Sequence, residues 1–130
     1  EGIQSFPIIV EDEIENIANT SKMVNVIDNL NISQDVERLA KRKKRTGKVA
    51  LRGRTSKIGK SALFVVSNSE KISKACSGIP GIDACSAKNL SVLNLAPGGS
   101  LIRLTIFSKK AIEEISQIKS NHLELMVTTQ

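Results

Sequence analysis

The chain predicts an α/β fold: a mostly parallel sheet with helices on both faces, plus a basic extended loop segment. Three observations carry this. Strand-type and helix-type patterns alternate from residue 62 to 119, as βαβ units require. Ala62-Leu63-Phe64-Val65-Val66 is a continuous apolar, β-branched run, which suits a central strand covered on both faces. Between Lys41 and Lys60 stand ten basic residues and no acidic one, a stretch unlike the rest of the chain. At 130 residues there is room for one core. We expect a single domain: 1–40 a strand and helices, 41–60 the basic segment, 61–119 alternating strands and helices, and 120–130 a tail.

Taken in order, Phe6-Pro7-Ile8-Ile9-Val10 reads as a strand entering an acidic loop at Glu11-Asp12-Glu13. From Thr20 or Ser21, as N-cap, Met23, Val26, Ile27 and Leu30 recur at helical spacing. Ser33 caps a second helix whose Val36, Leu39 and Ala40 face inward. Gly47, Gly53 and Gly59 interrupt the basic stretch, and 46–60 reads as loop. After the strand at 62–66, Ser69 caps a helix with Ile72, Ala75, Cys76 and Ile79 on one side, Gly78 at its C′ position and Pro80 stopping it. Ile82 to Ser86 is the next strand, and Asn89 to Leu95 a short helix that Pro97-Gly98-Gly99 ends. Arg103 to Phe107 is another strand, and Ser108 caps a last helix that buries Ala111, Ile112, Ile115 and Ile118. In the tail, Leu123, Leu125 and Val127 alternate as in a strand, although turn signals are few.

Composition narrows the function classes. With 40% hydrophobic and 25% charged residues the chain is an ordinary globular one. Three Phe, no Tyr and no Trp leave little for binding modes that stack bases on several rings. Cys76 and Cys85 are too few for a disulfide framework or a four-ligand zinc site, and read as reduced core residues of an intracellular protein. No apolar run approaches the roughly 20 residues that span a bilayer. The chain begins with Glu1, so a processed or incomplete N-terminus is expected.

Catalytic patterns fail one by one. Gly53 to Gly59-Lys60-Ser61 imitates a P-loop, but its glycines are one residue too far apart and it precedes a strand instead of opening a helix. Ala96-Pro97-Gly98-Gly99-Ser100 suits a helix-ending turn better than a phosphate cradle. His122 has no neighbouring Cys or second His. Glu11, Asp12, Glu13 and Glu15 read as a solvated loop, and Glu113 and Glu114 as the outward side of their helix. With no nucleophile and base to pair, the sequence argues against an enzyme.

The basic segment is the informative feature. Outside it the chain sums to a net charge of −4, against +6 overall, so a mildly acidic body carries one polycationic stretch. Such a run attracts polyanions. A membrane-surface helix needs an apolar face, and within 41–60 the large apolar residues are Val49, Leu51 and Ile58. RNA is the better partner: Lys41, Arg42, Lys43, Lys44, Arg45, Lys48, Arg52, Arg54, Lys57 and Lys60 reach phosphates, and Gly53 among them lets the backbone come close. Scarce aromatics favour a folded, largely paired RNA read by shape. A solvated loop, a localisation signal and a nucleic-acid-binding adaptor are the alternatives.

Several motifs occur together in a fixed order. Arg45-Thr46-Gly47-Lys48, Arg52-Gly53-Arg54, Ile79-Pro80-Gly81-Ile82-Asp83, Leu95-Ala96-Pro97-Gly98-Gly99 and Arg103-Leu104-Thr105-Ile106-Phe107 resemble the large-subunit ribosomal protein L-four family of archaeal and eukaryotic type. The match runs along about 45–118. The resemblance implies an α/β domain in the cytoplasmic ribosome, bound to large-subunit ribosomal RNA beside neighbouring ribosomal proteins. It implies no enzymatic activity, no cofactor, no small-molecule substrate and no membrane. It carries RNA contacts over to Arg45, Lys48, Arg52 and Arg54, and makes this chain the C-terminal portion of a longer protein. The family has a Gly and a Lys at Val49-Ala50, an Arg-Asn at Ser77-Gly78, and a His and a Gly at Ser100 and Ile102, where this chain departs from it.

Overall fold

A computed structural model describes residues 7–41, 43–99 and 103–118. Four short strands form the main sheet: β1 (Ile8–Val10), β4 (Leu63–Val66), β5 (Asp83–Ser86) and β6 (Thr105–Ser108), in the spatial order β1-β6-β4-β5. All three pairings are parallel. Between them lie helices α1 (Thr20–Asn29), α2 (Ser33–Ala40), α4 (Glu70–Ser77), α5 (Val92–Leu95) and α6 (Lys109–Gln117). Two further strands, β2 (Lys43–Lys44) and β3 (Ser56–Lys57), with a single helical turn α3 (Lys48–Leu51), belong to the basic segment. The expected α/β class with a mostly parallel sheet holds.

Every residue of β4 is buried, because its side chains alternate between two apolar layers. Phe64 and Val66 join Met23 and Ile27 of α1, Ile72, Ala75 and Cys76 of α4, and Ile106 of β6 on one face. Leu63 and Val65 join Ala87, with Phe107, Ala111 and Ile115 packed around them, on the other. A strand that is covered twice must be apolar throughout, and this is why 62–66 is legible as the central strand.

Several local expectations need correction. The N-cap of α1 is Asn19, and that of α2 is Ile32, one residue before Ser33. Ala40 at the end of α2 is exposed, as is Ile118, which follows α6 with an extended backbone. Gly78 adopts φ −80 and not the left-handed conformation; a Cβ there would sit 2.9 Å from Thr20 Cγ2, so a side chain enters only if Thr20 shifts. The helix expected at 89–95 is a 3-10 turn at Ala87–Asn89 followed by α5. The last strand begins at Thr105 and not at Arg103. Ser108 does cap α6, its Oγ accepting from Ala111 N at 3.2 Å. Residues 46–60, expected as loop, hold the helical turn α3 and the strand β3 of a hairpin whose other strand is β2, as described below. Phe6, the tail at 120–130, with Leu123, Leu125 and Val127, and His122 lie outside the described residues.

The acidic stretch after β1 is a structural tie as well as a solvated edge. It forms a 3-10 turn at Asp12–Asn16. Glu15 accepts from Ser67 N at 2.9 Å and from Ser108 Oγ at 3.0 Å, and Asp12 accepts from Lys110 N at 3.0 Å. These bonds join the carboxyl ends of β1, β4 and β6. Glu114, expected to point outward, turns toward the same edge and accepts from Ser67 Oγ.

Candidate nucleic-acid interface

The chain leaves α2 at Lys41 and builds a small antiparallel ribbon from β2 and β3, with Lys43 opposite Lys57 and Lys44 opposite Ser56. Like charges facing each other oppose this pairing. Two features hold it nevertheless. Arg45 N donates to Thr55 O at 2.9 Å, extending the ladder. At the tip, Gly47 takes φ +71, a conformation that side chains disfavour, and its carbonyl accepts from Ala50 N at 3.0 Å and Leu51 N at 3.3 Å to start α3. Arg52 N returns to Lys48 O at 3.2 Å, and Arg54 N to Val49 O at 3.3 Å, closing the turn.

This hairpin brings most of the predicted contact residues onto one projection. Lys41, Lys43, Lys44, Lys48, Arg52, Gly53, Arg54, Lys57 and Lys60 are exposed, and Arg45 is half-buried. Arg42 lies outside the described residues. Among the described residues, Lys60 is the only cation of the segment within 4.0 Å of a carboxylate; it donates to Asp83 Oδ2 at 2.7 Å. The other described cations have no described carboxylate within 4.0 Å. Arg38 on α2 escaped the sequence reading because it precedes the run. It is exposed, bonds Asp35 at 2.6 Å, and borders a groove with Lys57, Lys60 and Gly98.

The hairpin is anchored to the body through charge and backbone. Arg103, whose side chain is 3% exposed, donates to Asp83 and to the carbonyls of Ser61 at 3.1 Å, Ala62 at 3.2 Å and Asn94 at 3.0 Å. Burial raises the Asp83 pKa, but the hydrogen bonds and charges of Lys60 and Arg103 outweigh it and hold the carboxyl below its ordinary value. At Asp35 burial acts in the same upward sense, and Ser61 and Arg38 again bring the balance below the ordinary value. Both carboxylates are therefore ionised partners at neutral pH.

Gly59-Lys60-Ser61 runs into β4, Lys60 is paired with Asp83, and the buried Ser61 donates to Asp35, so no phosphate cradle opens a helix. Gly98 and Gly99 belong to a turn in which Gly99 N donates to Ala96 O at 3.0 Å. Burial, reinforced by the Asp83 charge, pushes the Cys76 thiol up to about 12, and burial also raises Cys85. Such thiols stay protonated and are poor nucleophiles or metal ligands. Among the described residues no group of three or more His, Cys, Asp or Glu could hold a metal ion, and no helix is long and apolar enough to cross a membrane.

Fold and site together define an α/β domain that projects a cationic hairpin. Residues 4–118 match the ribosomal protein L4/L1 family. Similar curated proteins include the large ribosomal subunit protein uL4 of Sulfurisphaera tokodaii, 41% identical over 126 residues, which are 95% of this chain and 47% of that protein. The uL4 protein of Thermoplasma acidophilum is 41% identical over 119 residues, 91% of this chain and 46% of the relative. That of Methanococcus aeolicus is 38% identical over 118 residues, 90% and 47% respectively. The chain belongs to the ribosomal protein L4/L1 family. It spans about half the length of the curated relatives it matches.

Proposed function

We propose that this chain is a structural, non-catalytic constituent of the large ribosomal subunit, and that it binds ribosomal RNA through the hairpin and its flanks. The contacts are Lys41, Arg42, Lys43, Lys44, Arg45, Lys48, Arg52, Gly53, Arg54, Lys57 and Lys60. The body, 1–40 and 61–119, fixes where the hairpin is presented, and neighbouring ribosomal proteins and the cytoplasmic ribosome are its setting. What carries the reading is that the exposed cations of the hairpin lack carboxylate partners among the described residues, while the sequence outside 41–60 sums to a net negative charge. Phosphates neutralise such a cluster and release counterions. Lys60 is the weakest contact, because Asp83 already neutralises it.

Titration of the chain against protein-free large-subunit ribosomal RNA over a range of salt tests this. If about six phosphates are neutralised, log affinity falls against log salt with a slope of roughly −4 to −5. Replacing Arg52 and Arg54 together by Ala flattens the slope by about two phosphates' worth. An unchanged slope moves the contact off the hairpin. Failure of the chain to co-sediment with large subunits at moderate salt favours the non-ribosomal adaptor.

A further inference from the structure

Leu51 is 87% exposed at the tip of the most highly charged stretch of the chain, and Val49 beside it is 45% exposed. Neither belongs to an apolar cluster of the body, and no residue of α3 is buried. Leu51 therefore does nothing for the fold that a polar residue would not do. Backbone bonds place it at the tip: its amide is bonded to Gly47 O, and the bonds from Arg52 N to Lys48 O and from Gly53 N to Ala50 O close the turn around it. Lys48 lies three residues before it, on the same side of the turn, and Arg52 follows it directly.

We propose that Leu51 is an apolar contact that seats against the sugar edges of the shallow minor groove of paired RNA, while Lys48 and Arg52 hold the phosphates on either side. The inference rests on the RNA-binding reading above and names a contact that charge does not supply. The occupant follows from the surroundings. Lys48, Arg52 and Arg54 flank the leucine without carboxylate partners among the described residues, and a polyanion satisfies them from both sides of the groove. A bilayer surface needs a continuous apolar face, whereas Val49 and Leu51, two residues apart on a helical turn, point in different directions. The minor groove of A-form RNA is wide and shallow and displays sugars and their hydroxyls. An aliphatic tip enters it without the stacking rings that this chain lacks.

The contact predicts a loss of affinity without a change in salt dependence, since an apolar contact releases no counterions. Salt titrations of the full chain on protein-free large-subunit ribosomal RNA compare Leu51→Ala, Leu51→Met and Arg52→Ala. Leu51→Ala is expected to bind about five- to twenty-fold more weakly at every salt concentration with the parental slope. Leu51→Met keeps the bulk and stays within about twofold of the parent. Arg52→Ala flattens the slope by about one phosphate's worth. Parental affinity in Leu51→Ala, or a changed slope, overturns the proposal. So does parental affinity for bare RNA combined with poorer retention in assembled subunits, which assigns Leu51 to a protein neighbour. If the parent itself fails to bind ribosomal RNA, the RNA-binding reading fails first.

Discussion

Lys60 donates to the Asp83 carboxylate at 2.7 Å, and the same Asp83 oxygen accepts from the buried Arg103. One carboxylate thus receives a cation from the basic segment and another from the interior of the body. The contact marks where the hairpin ends: Lys60 immediately precedes the buried Ser61-Ala62 entry to β4, and Asp83 opens β5. The parallel register places the start of β5 beside that of β4, with Leu63 opposite Asp83. The pair therefore fixes the base of the cationic projection to the amino-terminal edge of the sheet.

Acid should loosen this anchor. The Asp83 carboxyl lies below its ordinary value of 3.8 because Lys60 and Arg103 overcome the upward push of burial. A group whose pKa is depressed on folding contributes stability above its unfolded value, and that contribution is lost as pH falls through the folded one. Urea unfolding midpoints are expected to be flat above about pH 5 and to fall below about pH 4. Asp83→Asn, less stable at neutral pH, should show a shallower acid decline, with the remainder coming from groups such as Asp35. An acid slope identical to the parent's would remove Asp83 from the linkage.

Gly81 and Gly47 separate two reasons for a glycine. Both have positive φ, +82 and +71. At Gly81 a Cβ would meet Leu39 Cδ1 at 2.5 Å and Gly59 O at 3.1 Å; at Gly47 nothing lies within 4 Å. Left-handed backbone costs a side chain about 1–2 kcal/mol, and overpacking adds about 1–3 kcal/mol. Gly81→Ala should lose about 2–4 kcal/mol by urea unfolding, whereas Gly47→Ala, confined to a hairpin that opens without unfolding the body, should leave the midpoint nearly unchanged. A Gly81→Ala loss of no more than about 1–2 kcal/mol would mean that Leu39 yields freely.

What sequence patterns reveal, and what they hide, follows from the range of each interaction. β4 is legible because double burial demands apolar residues at consecutive positions. The amphipathic face of α1 is legible through Met23 and Ile27, both buried. Glu15 is not: its partners Ser67 and Ser108 lie 52 and 93 residues away, and nothing within 11–16 announces them. Arg103 reads as one more cation, whereas its burial depends on acceptors that three separate segments bring together. The charge of the hairpin is plain from the sequence. Its conformation is hidden because Lys43 faces Lys57 against the ordinary pairing preference, so backbone bonds at the turn decide the structure. At the end of α2, Ala40 keeps the helical phase and is nevertheless exposed, and Ile118 follows α6 with an extended backbone that leaves the phase.

The same balance predicts how the hairpin behaves without a polyanion. β2 and β3 contribute two residues each, and an isolated two-stranded ribbon is marginal in water. Repulsion among unpaired cations works against it further, and ordering the backbone costs about 1–2 kcal/mol per residue. The few bonds that close it, such as Arg45 N to Thr55 O, have almost no buried apolar surface behind them. We therefore expect the amides of 43–57 to exchange rapidly in the chain alone, while those of β4 are protected. Added large-subunit ribosomal RNA should protect 43–57 selectively, because phosphates replace repulsion with attraction. Strong protection of these amides without RNA would mean that the turn bonds alone suffice, and RNA would then bind a hairpin already formed.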